Sequence, residues 1–415
     1  MALAFNSVIP QTRSVSTSSW RLGSPSQTQF PTTCLIRPKR KFFHGGTVCS
    51  SAAKTDSSLS DVECDSVLYH HLSCLYLFKA WSEFARNVSG EWDGFGADFS
   101  KEGNPIELPE SVVPEAYREW EVKVFDWQTQ CPTLAQPEEP VLVCKSIKLL
   151  PTVGCEADAA TRYSIDERNV GGPVNNVSSF AYQPSGCYVA VWPIEEKGSH
   201  KLLELEHCLI NPQDRESRMR IIQVVRLENE KIVLQGIRVF VEQWYGPFRN
   251  GDQLGGCAIR DSAFASTAAL KASDVVGVWE GSNSVASFDG SQVDFLQQLK
   301  AGSVIKLIRD ERDIVLLPKQ LWCSVKECED GVTCCEAGWL LNQGHVISSK
   351  CTFSSKATLK ASLLVLVRFT RLAFVCLLFF CKIIALDSKE SGPLILNTSL
   401  AAQFRNLAQF SIFSL

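Results

Sequence analysis

Residues 87–94 read NVSGEWDG and residues 274–281 read DVVGVWEG. Of the eight positions the valine, both glycines and the tryptophan are identical, and two more keep their chemistry, Asn for Asp and Asp for Glu. A chain that states the same glycine–tryptophan entry twice, 187 residues apart, constrains its own architecture: each copy must open an equivalent unit. Glycine lets the backbone turn in close. An indole is a large plug that can close the floor of a rolled sheet. The repeat residues are Gly90, Trp92 and Gly94 in the first copy and Gly277, Trp279 and Gly281 in the second.

Each copy leads into segments with the pattern of β-structure. Residues 66–86 carry apolar side chains at helical spacing and predict a helix leading into the first copy. From Gly90 the period falls to two. Strands are expected at 90–99, 119–129, 141–149, 162–168, 187–192, 201–209, 218–227 and 232–244. The last two form the clearest hairpin, joined by a short polar turn, and Gly236 marks a bulge or bend. Residues 246–262 are rich in glycine and polar side chains and read as a connection between units. A short helical lead is expected at 262–272. Strands come next at 303–309, 313–317, 320–326, 333–341 and 345–353. At 415 residues, two units are the default organisation. The division is 60–248 for the first, 249–264 for the linker and 265–360 for the second.

The two ends of the chain read differently. Residues 1–55 contain no acid, seven basic residues and sixteen Ser or Thr. That is the composition of an organelle transit peptide, assigned here to 1–52 and to the plastid. Beyond Lys360 the alternation gives way to a nearly unbroken apolar run. Its uninterrupted part, Leu372–Cys381, is only ten residues, against the ~20 that a membrane-crossing helix needs. Residues 361–415 are read as a divergent hydrophobic tail, the product of read-through of an unspliced segment, which would leave the second unit without its closing strand. A membrane-associated helix over 361–386 and a packed helix are the other readings.

Residues 56–360 hold 29 basic and 43 acidic residues, a net of −14. That balance argues against a general nucleic-acid binder, which needs a basic footprint. The seventeen cysteines are scattered and include no CxxC pair. Cys323, Cys328, Cys334, Cys335 and Cys351 lack zinc-knuckle spacing and read as buried strand thiols, with a redox role for this cluster left open. The chain has no phosphate-cradling GxxxxGK[ST], no GxSxG elbow and no HExxH. The adjacent His70 and His71 would diverge by about 100° on a helix and so suit no shared metal. His207 reads as a core or surface histidine on a strand. Asp93 and Glu280 read as strand-start residues, because an acid–base pair made of them would have to span two units. No catalytic, cofactor-binding or metal-binding residue is assigned.

Gly-x-Trp on a first strand after a helical lead resembles the lipocalin and calycin superfamily. Longer segments extend the likeness: GEWDGFGADFSKEGNPIELPESVVPEAYREWEVKVFDWQTQCPTLA, ESRMRIIQVVRLENEKIVLQGIRVFVEQWYGPF and SDVVGVWEG with LLPKQLWCSV and CCEAGWLL. Over roughly residues 60–360 the chain resembles the plant chloroplast biogenesis factor required for ATP synthase. That resemblance implies two tandem calycin-like antiparallel β-barrels and a stromal location. It also implies a non-enzymatic role, without cofactors, in building the catalytic head of the plastid ATP synthase through its beta and gamma subunits. The alternative is a carrier of a small hydrophobic ligand, or a calycin-type isomerase or cyclase, with Trp92, Trp120, Trp127, Trp192, Trp244, Trp279, Trp322 or Trp339 stacking on the ligand.

Overall fold

A chain whose apolar residues alternate over a dozen short segments buries one face of each and pairs their edges. The computed structural model of the protein describes residues 79–150, 162–194, 201–229, 231–252, 263–288, 294–328, 331–341, 345–355 and 358–368. The leader, His70 and His71, most of the connection at 249–264 and the tail beyond Arg368 lie outside the described residues.

The first sheet is built from β1 (Glu91–Ser100), β2 (Asp126–Gln130), β3 (Thr133–Ala135), β4 (Leu142–Leu149) and β5 (Arg162–Val170). It continues with β6 (Ser179–Tyr182), β7 (Tyr188–Ile194), β8 (Lys201–Ile210), β9 (Ser217–Glu228) and β10 (Lys231–Gly246). Its order is β12-β6-β7-β8-β9-β10-β1-β2-β4-β3, with β5 on β4. The end strand β12 (Leu296–Gln298) comes from the second half of the chain and pairs in parallel with β6. The second sheet is antiparallel, in the order β13-β11-β18-β17-β16-β15-β14. It comprises β11 (Gly277–Ser287), β13 (Lys300–Arg309), β14 (Ile314–Leu317), β15 (Leu321–Glu327), β16 (Thr333–Leu340), β17 (His345–Phe353) and β18 (Leu359–Arg368).

The first sheet curls, and its side chains show it. Arg168 of β5 donates to Glu206 of β8 at 2.9 Å, and Arg220 of β9 reaches Ser146 of β4 at 3.2 Å. These strands lie far apart in the sheet order, so they meet only because the sheet wraps around its concave side. Helix α1, residues 79–88, plugs one end of that concavity. Its Phe84 packs on Phe180, Tyr182 and Tyr188. The Trp81 indole N–H donates to the carbonyls of Gln136 and Glu139 at 2.7 and 2.8 Å, tying the helix to the β3–β4 turn.

Most expected strands are present, and the hairpin β9–β10 carries its irregularity between Leu234 and Gly236, where the glycine stands. Three expectations are corrected. Residues 119–129 are not one strand: the five-residue helix α2 (Glu115–Glu119) follows Pro114, Glu121 takes a left-handed φ of 56°, and β2 starts only at Asp126. Proline fits the start of a helix, and the Glu-rich segment after it favours that state. The helical lead at 262–272 is two 3₁₀ turns, Phe264–Ser266 and Ala272–Asp274. Finally, the second sheet does not lack a strand where the tail was expected to begin. Leu359–Arg368 form β18, which pairs with β11 on one side and β17 on the other. Its run LLVLV has no period-two alternation, so in the sequence it mimics the start of a hydrophobic tail.

The sheets are not beads on a tether either. One contiguous apolar core joins Phe99, Phe180 and Trp192 of the first sheet with Leu317, Cys323, Ala337 and Ile347 of the second. A second cluster joins Val189, Leu205 and Val225 to Cys335, Cys351 and Phe353. Between them runs a polar seam. The His207 ring lies 2.7 Å from Ser349 Oγ and 3.2 Å from Gln223 Oε1, and Gln223 donates to the Ser324 carbonyl at 3.0 Å.

Candidate interaction surface

The repeat residues occupy equivalent places, one set in each sheet. Gly90 and Gly277 precede the tryptophans with φ of 146° and 131°, a region that side-chain-bearing residues rarely enter. At Gly90 a Cβ would also stand 2.2 Å from the Trp244 indole nitrogen. Trp92 and Trp279 are wholly buried. Each indole N–H donates to the carbonyl four residues upstream, Val88 at 2.9 Å and Val275 at 2.7 Å. Each ring also faces an arginine: Arg218 at 4.3 Å from Trp92 and Arg309 at 5.4 Å from Trp279. Gly94 lies opposite Glu242 in β1, and Gly281 lies between Ile305 and Val367 in β11. The motif is therefore architectural, with its polar atoms turned into the protein.

The concave side of the first sheet holds a charged cluster that no sequence motif singled out. Glu206 accepts from Tyr188, Arg220, Arg168 and Trp192, all at 2.8–2.9 Å. Glu242 accepts from Arg218 Nε at 2.6 Å and Arg220 Nη2 at 2.8 Å. Burial alone raises a carboxyl, but the guanidiniums of Arg168 and Arg220 outweigh it and hold Glu206 down to about 2. Both carboxylates are ionised and saturated with donors, and so suited to fixing strands rather than moving protons. Trp92, Tyr188 and Phe180 are buried in the core alongside it. A groove of about 410 Å³ does exist, but it runs between the sheets, with Lys101, Arg312 and Asp313 beside Val233 and Val315. The alternating signature available in sequence was the R-x-R at Arg218–Arg220, next to the apolar pair Ile221 and Ile222.

The other polar candidates separate. Asp93 is buried on β1, whereas Glu280 is exposed on β11 and pairs with Lys306 at 3.6 Å, so the two belong to different sheets. Cys323, Cys335 and Cys351 are buried on β15, β16 and β17. Among the described residues no group of three or more His, Cys, Asp or Glu is arranged to hold a metal ion. No described helix is long and apolar enough to cross a membrane.

The surface that stands out is the outward face of β11 and β13. Cross-strand partners Val278 and Ile308 are 52% and 78% exposed, and Val304, opposite Ser282, is 65% exposed. The Glu280–Lys306 pair sits between them on the same face. β13 ends the second sheet, and no described strand pairs with its outer edge. The outer edge of this ten-residue strand, beside bare aliphatic side chains, forms a template for another chain. The sequence SVIKLIR held the clue: Val304 and Ile308 alternate with Ile305 and Leu307, so both faces of the strand are apolar although only one packs inward.

No protein-family model matches the chain, and no curated protein matches it. Among solved structures, it is similar to a protein of unknown function from the DUF3598 family of Nostoc punctiforme. The match has 14% identity and a TM-score of 0.41, over 70% of this chain and all of that one. A putative outer membrane protein of Bacteroides fragilis matches at 9% identity and a TM-score of 0.19, over 69% of this chain and 99% of that one.

Proposed function

We propose that the protein is a non-enzymatic assembly factor of the chloroplast stroma that holds the beta and gamma subunits of the ATP synthase while its catalytic head is built. We read its two sheets as two calycin-like barrels. The observation that carries a holding role is the open β13 edge with Val278, Val304 and Ile308 exposed beside it. The choice of partner rests on the whole-segment likeness over residues 60–360, and the net of −14 over 56–360 supports it by favouring encounter with a basic surface. The carboxylates Glu206 and Glu242, each paired with buried arginines on the concave side, favour holding a partner outside over carrying a small hydrophobic ligand inside.

The test is direct binding of residues 53–415 to purified beta and gamma subunits, beside a V304K/I308K double variant. Retention of both subunits, weakened at least about tenfold in the variant, is expected for a buried apolar contact. Retention of neither subunit by the unaltered protein overturns the assignment. Equal retention by both forms moves docking away from β13.

A further inference from the structure

Of the cysteines on the second sheet, two stand apart from the rest. Cys328 follows the end of β15, and its backbone N–H donates to the Val332 carbonyl at 2.6 Å, closing the turn into β16. Cys334 is the second residue of β16, diagonally across that turn and opposite Lys326. The Cys328 thiol donates to the Cys334 sulfur with only 3.0 Å between the sulfurs. A disulfide is 2.03–2.05 Å long, so closing the bond asks for a movement of about 1 Å at the end of a hairpin.

From this geometry we infer that Cys328 and Cys334 are a modification site: a dithiol that converts reversibly to an intramolecular cystine by exchange with a disulfide-bearing oxidant. Access decides which cysteines react. Cys328 is partly exposed and Cys334 is 8% exposed, whereas Cys323, Cys335 and Cys351 have no exposed surface. Cys335 and Cys351 are direct partners across β16 and β17, yet they are sealed with Val189, Leu205 and Phe353 in the apolar layer between the sheets. Burial first, then the neighbouring Cys334 sulfur, raise the Cys328 thiol, with Lys350 and Lys326 opposing them.

The step balances as an ordinary exchange. The Cys328 thiolate attacks one sulfur of the oxidant, and the other oxidant sulfur leaves. The Cys334 thiolate then attacks Cys328 Sγ, the Cys328–Cys334 bond forms, and the second oxidant sulfur leaves. Two electrons pass from the protein to the oxidant, which ends as two thiols carrying the two protons. The cystine would staple the β15–β16 turn next to Glu327, which holds Lys231 of the first sheet at 3.1 Å, so the modification falls where the sheets meet.

The native full chain is treated with oxidised glutathione, alkylated with N-ethylmaleimide, digested and read by mass spectrometry. The expected result is a Cys328–Cys334 cross-linked peptide lacking two hydrogens, more than tenfold protection of both residues from alkylation, and full reversal by dithiothreitol. Cys334→Ser is expected to trap glutathione on Cys328, since the resolving thiol is gone. Cys328→Ser is expected to leave Cys334 reduced. Both thiols remaining alkylatable in the unaltered protein, or Cys334 pairing with any other cysteine, overturns the inference. That readout needs no variant, so a poorly folding substitution cannot rescue it.

Discussion

His207 and Asp93 show how burial without a full charge partner writes itself into pH dependence. Burial lowers the His207 imidazole to about 4, against which Gln223 and the carboxylates of Glu336 and Glu206 work only partly. The unfolded chain, with a histidine near 6.5, therefore binds the proton first. The stability from neutral His207 is complete above pH 6.5 and drains away as pH falls toward 4. The loss reaches about 2 kcal/mol by pH 5 and about 3 kcal/mol at pH 4. Urea unfolding of His207→Gln at pH 7.5 and 5.0 is expected to show that slope removed, and an unchanged slope contradicts the account. Asp93 has the opposite sign. Burial first, then the carboxylates of Glu91 and Glu242, raise it to about 7, with Arg249 opposing. Its folded form takes up a proton between pH 7 and 3.8, so this group adds stability as pH falls and costs it when ionised above pH 7. Asp93→Asn is accordingly expected to stabilise the protein on the order of 2 kcal/mol at pH 8 and to change little at pH 4. A destabilised variant at pH 8 would show that the ionised carboxylate has partners beyond the described residues.

At the level of single elements, the sequence was legible wherever one face of a strand is buried and the other is wet. β4 is the clearest case, with Leu142, Cys144, Ile147 and Leu149 buried and Val143, Lys145 and Lys148 less so. In the β9–β10 hairpin the polar turn and the glycine at the irregularity carried the reading, because Arg218 to Gln223 are buried on both faces. Legibility failed at β18, whose run LLVLV carries no period-two signal although its backbone pairs with β11 and β17. It failed again over 119–125, where the end of α2 and the left-handed Glu121 stand in what alternation alone marks as strand, and β2 starts only at Asp126. The candidate interaction surface was half-legible. The motif-bearing β11 was read from its glycine and tryptophan, but Val304 and Ile308 of β13 only become a surface once the sheet order leaves that strand at the end. Because those side chains touch solvent, V304K/I308K is expected to change unfolding free energy by no more than about 0.5 kcal/mol per site. It is also expected to lower self-association, since lysine on an edge opposes strand addition. Sedimentation of both forms checks this. A large loss of stability would mean that the β13 face is covered by part of the chain itself.

For the molecule as a whole, the duplicated motif marks two sheets and says nothing of their joint. Each tryptophan enters its own sheet, yet the sheets share a core, exchange β12, and meet along a seam where His207 touches Ser349, 142 residues away. Such contacts leave no local trace: a histidine on a strand looks the same facing water or facing another sheet. The consequence is that the second sheet's integrity depends on the residues that look most foreign. Among the described strands, only β18 pairs β11 with the β14–β17 meander, and β11 carries Trp279, whose cluster includes Trp322 and Val346 from that meander. A chain ending at Lys360 keeps only the first two residues of β18 and exposes the long edges of β11 and β17 together. Ending the chain at Arg368 keeps both pairings. Intrinsic fluorescence and urea titration should separate the two. The shorter chain is expected to show red-shifted emission as Trp279 and Trp322 meet water, aggregation at micromolar concentration, and no single cooperative transition. The chain ending at Arg368 should unfold with the midpoint of the full protein. Identical midpoints for the two truncations would mean that the sheet closes by another strand and that the pairing of Leu359–Arg368 is dispensable.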